Sequence, residues 1–86
     1  MNLTFKAIDI ETANADRSSI CQIGIVNVVN GVVVSAWQSL INPECHFDSF
    51  NTRLHGIDEQ TVQHSPTLTE IHDEIRQILC RRMRCS

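Results

Sequence analysis

Leu3-Thr4-Phe5-Lys6-Ala7-Ile8-Asp9-Ile10-Glu11-Thr12-Ala13 alternates as a β-strand does as far as Ile10. Successive side chains of a strand point to opposite sides. Leu3, Phe5 and Ala7 therefore share one face with Asp9 and Glu11, while Ile8 and Ile10 point the other way. Two carboxylates on one face at the end of an apolar strand repel each other unless a cation lies between them. Their hard oxygens suit Mg²⁺ or Mn²⁺. A pair of such ions about 3.5–4 Å apart activates water and stabilises the leaving oxygen in phosphodiester cleavage. An acidic-x-acidic triplet alone is common and is more often a solvated strand end, so its meaning depends on the rest of the chain.

Ala13 to Ser18 reads as a small polar loop. Ile20 to Val29 is a nearly continuous apolar run rich in isoleucine and valine, the pattern of a strand buried on both faces. Asn30-Gly31 separates it from Val32-Val33-Val34. Both turn residues tolerate positive φ, so this is a hairpin signal. The third strand is expected from about Val32 to Ile41, stopping at Asn42-Pro43. Residues 44–66 are polar and loop-rich with short helical stretches, and Asp58 can cap one turn through Val62. After Ser65-Pro66, the segment Thr67-Leu68-Thr69-Glu70 matches a capping box. Leu68, Ile71, Ile75, Ile78 and Leu79 fall on one helical stripe, with Glu70, Asp73, Glu74 and Gln77 largely opposite. This helix is predicted to run to about Cys80. The expected order is three antiparallel strands, a short helical segment and one longer helix.

Composition sets bounds on these elements. The chain has 86 residues and a mass of 9.7 kDa, one small domain at most. A domain of this size buries only about 60% of the surface its unfolded chain exposes. Hydrophobic residues at 42% and charged residues at 20% exclude wholesale disorder. No apolar run approaches the roughly 20 residues that span a bilayer. The N-terminus lacks the basic and long apolar regions of a signal peptide, so the expected compartment is the cytoplasm. A net charge of −3 argues against an electrostatic coater of nucleic acid. It remains compatible with an enzyme that grips one strand end through metal ions. Cys21, Cys45, Cys80 and Cys85 form no C-x-x-C pair and read as thiols.

The segment Phe5 to Ala13 resembles the first motif of the DEDD exonucleases, and most nearly the DnaQ-like 3′→5′ exonucleases. That group includes the proofreading epsilon subunit of bacterial DNA polymerase III. The resemblance continues through Ile20-Cys21-Gln22-Ile23-Gly24-Ile25-Val26, Asn30-Gly31 and Leu40-Ile41-Asn42-Pro43. It extends to Leu54-His55-Gly56-Ile57-Asp58-Glu59, Val62 and Ser65-Pro66-Thr67. It implies an α/β ribonuclease H-like fold and hydrolysis of terminal phosphodiesters of nucleic acid, DNA in the first instance. The substrate would be a single-stranded or frayed 3′ end. Asp9 would bridge two ions, Mg²⁺ or Mn²⁺. Glu11 would ligate one of them and meet the terminal 3′-hydroxyl. The backbone around Ile10 and Thr12 would pack against the terminal nucleotide, and His55 would lie beside its sugar or base.

The family also uses two further carboxylates and a general base. They come from a His-Asn-x-x-Phe-Asp-like segment and from a histidine shortly before an aspartate, or a tyrosine. The chain has neither segment and no tyrosine. Residues 1–80 therefore read as the N-terminal part of an exonuclease domain. Residues 81–86, Arg-Arg-Met-Arg-Cys-Ser, read as a basic tail that does not match the fold. Such a chain is expected to be weak or inactive alone. It is also expected to self-associate through the first strand, whose outer edge would lack a neighbour. Two other readings remain open: a non-catalytic module that docks by strand addition, and one half of a split nuclease.

Overall fold

A computed structural model describes residues 3–81. Its centre is the hairpin. Asn30 and Gly31 take φ of 52° and 78°, the two consecutive left-handed residues that a tight turn matched to strand twist demands. The turn joins β2 (Ile20–Val29) to β3 (Val32–Leu40), and β1 (Phe5–Thr12) pairs antiparallel with β2 on its other side. The three-stranded sheet has the order β1-β2-β3. Three helices follow: α1 (Ser49–His55), α2 (Glu59–Val62) and α3 (Leu68–Cys80).

β1 starts later and ends later than its alternation alone implies. The Leu3 carbonyl accepts from the Gly31 amide at 2.9 Å, outside the strand ladder. Glu11 and Thr12 stay paired with Gln22 and Ile20. Both carboxylates therefore sit within the paired strand rather than in the loop beyond it.

Two irregularities shape the sheet. Between Glu11 and Thr12 the partner jumps from Gln22 to Ile20, so Cys21 is the extra residue on β2. Between Asn27 and Val28 the partner jumps from Ser35 to Val33, so Val34 is the extra residue on β3. An extra residue breaks the strict two-residue period. Ile20, Ile23, Ile25 and Trp37 pack with Ile41, Ile71, Ile75 and Ile78, whereas Cys21 joins Ala13, Phe47, Ile57, Val62 and Leu40. β2 thus feeds two apolar clusters, and none of its residues is exposed. The expectation of burial on both faces is met incompletely, because Gln22, Gly24, Val26 and Asn27 are only half-buried.

The helices are set by their caps. The Thr67 hydroxyl accepts from the Glu70 amide at 3.3 Å, and the Glu70 carboxylate accepts from the Thr67 amide at 2.9 Å. In α2 the Asp58 carboxylate accepts from the Thr61 amide and hydroxyl at 2.9 and 2.8 Å. These bonds hold the Asp58 carboxyl below the usual aspartate range. Along the α3 stripe only Ile71 and Ile75 are buried, with Ile78 half-buried. Leu68 and Leu79, at the two ends of the stripe, stay exposed.

Among the described residues β1 and β3 are the sheet edges. Phe5, Ile8 and Ile10 on β1 are exposed, Ile8 by 50%. The tail expected at 81–86 falls, beyond Arg81, outside the described residues. No described helix is long and apolar enough to cross a membrane.

Thr67→Ala removes one half of the α3 capping box. It is expected to cost about 1 kcal/mol, read as a lower urea midpoint at unchanged slope. An unchanged midpoint would show that α3 is held by Ile71 and Ile75 alone.

Candidate active site

Asp9 and Glu11 lie on the face of β1 that carries Ala7, as the alternation requires. Asp9 sits opposite Gly24 and Glu11 opposite Gln22. Gly24 has no side chain to shield its neighbour, and a Cβ built there would meet nothing closer than 3.9 Å. Asp9 is therefore exposed to solvent on that face. A shallow cleft of about 300 Å³ runs across the strands there, floored by Ala7, Val26 and Ala36 and bordered by Asp9 and Gln38. Ile10 points to the opposite face and is exposed.

Glu11 is half-buried beside the second apolar cluster. Its nearest consequence is on Cys21, which is fully buried. Burial, and secondly the Glu11 charge, push the Cys21 thiol up to about 11.

The chain beyond Glu11 is tied down by α1 and the segment preceding it. The Thr12 carbonyl accepts from His55 Nε2 at 2.8 Å and from Asn51 Nδ2 at 3.1 Å. The Ala13 carbonyl accepts from the Asp48 amide at 2.8 Å. Asn14 donates through Nδ2 to the His46 carbonyl at 2.7 Å. Asn51 and His55 are one helical turn apart, so they address the same carbonyl from one face of α1. The His55 tautomer follows from its partners. Nδ1 accepts from the Ile57 amide at 3.1 Å, so the proton resides on Nε2 and is donated to Thr12. Gly56 closes α1 with φ of 75°, a conformation that an L side chain resists, and this turn brings the Ile57 amide back to the ring.

Sequence reading placed Asp9, Glu11, Ile10, Thr12 and His55 at one site. The structure brings His55 onto Thr12, next to Glu11, and leaves the Ile10 side chain on the far face. It adds Asn51, whose only sequence signal is its position four residues before His55.

Two adjacent carboxylates are a poor cage but a suitable handhold. Mg²⁺ keeps several of its waters and is commonly bound through one or two carboxylates plus substrate phosphates. Among the described residues no cluster of three or more His, Cys, Asp or Glu side chains could hold an ion. Two hard carboxylate oxygen donors on one face match the mode in which water and substrate phosphates supply the remaining ligands.

The thiols provide a check on this packing. At pH 8, iodoacetamide is expected to label exposed Cys45 and Cys80 and to spare Cys21 until denaturant is added. Because the folded thiol pKa is raised, the stability linked to it is full below the unfolded value and is lost as pH rises through about 11. Rapid native labelling of Cys21 would contradict the closed cluster beside Glu11.

Comparison with known proteins gives a consistent picture. The chain is 35% identical over 69 residues to a PolC-type DNA polymerase III of Caldanaerobacter subterraneus subsp. tengcongensis, covering 78% of this chain and 5% of that protein. It is 31% identical over 78 residues to the 3′-5′ exonuclease DinG of Staphylococcus epidermidis, covering 88% of this chain and 9% of that protein. The chain thus spans a small part of the relatives it matches. Among solved structures it resembles Exonuclease X in complex with 5′ overhanging duplex DNA, with a TM-score of 0.74 and 24% identity. That likeness covers 81% of this chain and 42% of the other, and it is one of fold, the ribonuclease H-like exonuclease fold. The RNase T exonuclease family model matches residues 7–85, and the chain belongs to that family.

Proposed function

We propose that the chain is the N-terminal part of a metal-dependent 3′→5′ exonuclease domain, with Asp9 and Glu11 as its metal-holding carboxylates. The observation that carries this reading is their shared face on β1, open beside Gly24, within a chain matched to the exonuclease family over residues 7–85. The 3′→5′ direction is supported by relatives named as 3′-5′ exonucleases. The reaction is hydrolysis. Water attacks the terminal phosphorus, the P–O3′ bond breaks, and a nucleoside 5′-monophosphate leaves while the shortened strand regains a 3′-hydroxyl. Mg²⁺ or Mn²⁺ would lower the pKa of the attacking water and stabilise the leaving oxygen.

The chain's own residues have separable roles in this reading. Asp9 and Glu11 supply negative oxygens on one face. The backbone at Ile10 and Thr12 meets the terminal nucleotide. His55 presents the edge of its ring and fixes Thr12. Both of its nitrogens are engaged with the backbone, so its role is packing and orientation rather than proton transfer. Two carboxylates do not fix two ions and an in-line nucleophile, so this chain alone is weak or inactive. On a 5′-labelled single-stranded oligonucleotide with Mn²⁺, any shortening from the 3′ end is expected to be slight and to vanish in Asp9→Asn and in Glu11→Gln. Trimming that survives both substitutions overturns their assignment.

The edge of β1 favours a second reading. It is unpaired among the described residues and carries exposed Phe5, Ile8 and Ile10. Such an edge accepts a further strand, from a partner protein, from a second half of the nuclease, or from another copy of this chain. Self-association appears as a sedimentation coefficient that rises with concentration and that Ile8→Lys returns to the monomer value. A monomer at all concentrations would count against pairing between copies.

A further inference from the structure

The backbone bonds around the sheet show which peptide groups of β1 are already used. The Ala13 amide donates to the Ser19 carbonyl at 2.8 Å, and the Ile41 amide donates to the Cys21 carbonyl at 2.8 Å. Cys21 therefore turns its peptide groups toward β3, and alternation turns those of Gln22, Gly24 and Val26 toward β1. Their partners Glu11, Asp9 and Ala7 face β2 in return. Lys6, Ile8, Ile10 and Thr12 then present their amides and carbonyls to the outer edge. Thr12 is taken, because its carbonyl accepts from His55 and Asn51. Among the described residues the open edge is thus Lys6, Ile8 and Ile10. Their side chains lie on the face of Ile23 and Ile25 but beyond the cover of α3, with Ile8 and Ile10 50% and 45% exposed. Lys6 is held back by Asn27, whose Oδ1 accepts from Nζ at 2.7 Å.

We propose that this edge pairs antiparallel with the same edge of a second copy, with Ile8 on the two-fold axis. The inference rests on the reading of β1 as a strand-accepting edge and names the occupant and its register. Parallel pairing of identical edges has no two-fold to close it and leads to an open assembly. In antiparallel pairing opposed residues share a face, so the register moves in steps of two. Centring on Ile8 sets Lys6 opposite the partner's Ile10 and Ala7 opposite the partner's Asp9. All three open residues of each copy then exchange backbone bonds, and no like charges stand opposite one another. The Lys6 stem lies along the partner's Ile10, as long charged side chains commonly do on apolar surface. Centring on Asp9 would set two carboxylates face to face, which is destabilising, and would need the edge of Thr12 that α1 occupies. Centring on Ala7 would oppose Ile10 to the partner's Thr4, which lies outside the strand. In the Ile8 register the partner's β1 begins at its Phe5, opposite Glu11 and short of the bonds that α1 makes to Thr12.

A residue on a two-fold axis faces itself, and this gives the register a direct test. The 86-residue chain is followed by sedimentation velocity over a range of concentrations, with circular dichroism confirming that each variant is folded. The parent chain is expected to level off at the dimer. Ile8→Lys alone and Ile8→Glu alone are expected to stay monomeric, because each opposes two like charges at the axis. An equimolar mixture of the two is expected to form the dimer again. In a mixture of isotope-labelled and unlabelled parent chain, an intermolecular Hα–Hα contact is expected between Ala7 and Asp9, which form a close pair without backbone bonds in this register. A parent dimer that mixing does not restore, or an intermolecular contact between two copies of Asp9, overturns the register while pairing between copies stands. Assembly that grows beyond the dimer overturns the closed two-fold. A parent chain that is monomeric at every concentration overturns pairing between copies and this inference with it, and leaves the edge to a strand of another protein.

Discussion

The two-residue period of β1 is the constraint on which the rest of the molecule depends. It puts Asp9 and Glu11 on one face and Ile8 and Ile10 on the other, and pairing with β2 fixes what each meets. Asp9 meets Gly24, where no side chain covers it. A slip of one residue would turn both carboxylates toward the apolar layer of Ile23, Ile25, Ile71 and Ile75. Burying two unpaired charges there is costly, so chemistry and core jointly select a single register.

Side chains of β2 serve two layers. Cys21, the extra residue of the bulge, lies in the cluster formed by Ala13, Phe47, Ile57 and Val62, whereas Ile20, Ile23 and Ile25 pack with Ile71 and Ile75 of α3. The same bulge lies opposite the Glu11–Thr12 step, just before β1 ends at Thr12, whose carbonyl takes bonds from α1. Packing and site geometry therefore change at one point in the chain. Bulges next to active sites commonly re-aim a side chain in this way.

Much of this was legible in the sequence, for physical reasons that differ by element. Asn30-Gly31 encodes its turn locally, because few other residues adopt two positive φ values. The Thr67 and Glu70 cap is likewise local, and α3 begins where it says. The carboxylate pair follows from alternation, and its proposed role from family resemblance. The bulges at Cys21 and Val34 were not legible, because a bulge is a property of two strands in register and leaves no mark in either alone. Helix α1 was not resolved beyond a short helical tendency. It has no inward apolar stripe, so the periodicity that reveals α3 is missing. Its hold on β1 through Asn51 and His55 is polar, and only the fold shows that both side chains meet one carbonyl.

The central claim is that Asp9 and Glu11 form a divalent-ion site on β1. Paramagnetic broadening by Mn²⁺ in an amide-resolved NMR spectrum tests it most directly. Substoichiometric Mn²⁺ should broaden first and most strongly the amides around Asp9 to Thr12 and those facing them, Gln22 to Gly24, with the effect falling off with distance from that face. Broadening centred elsewhere, for instance on the surface pair His46 and Asp48, or no localised broadening at all, would contradict it.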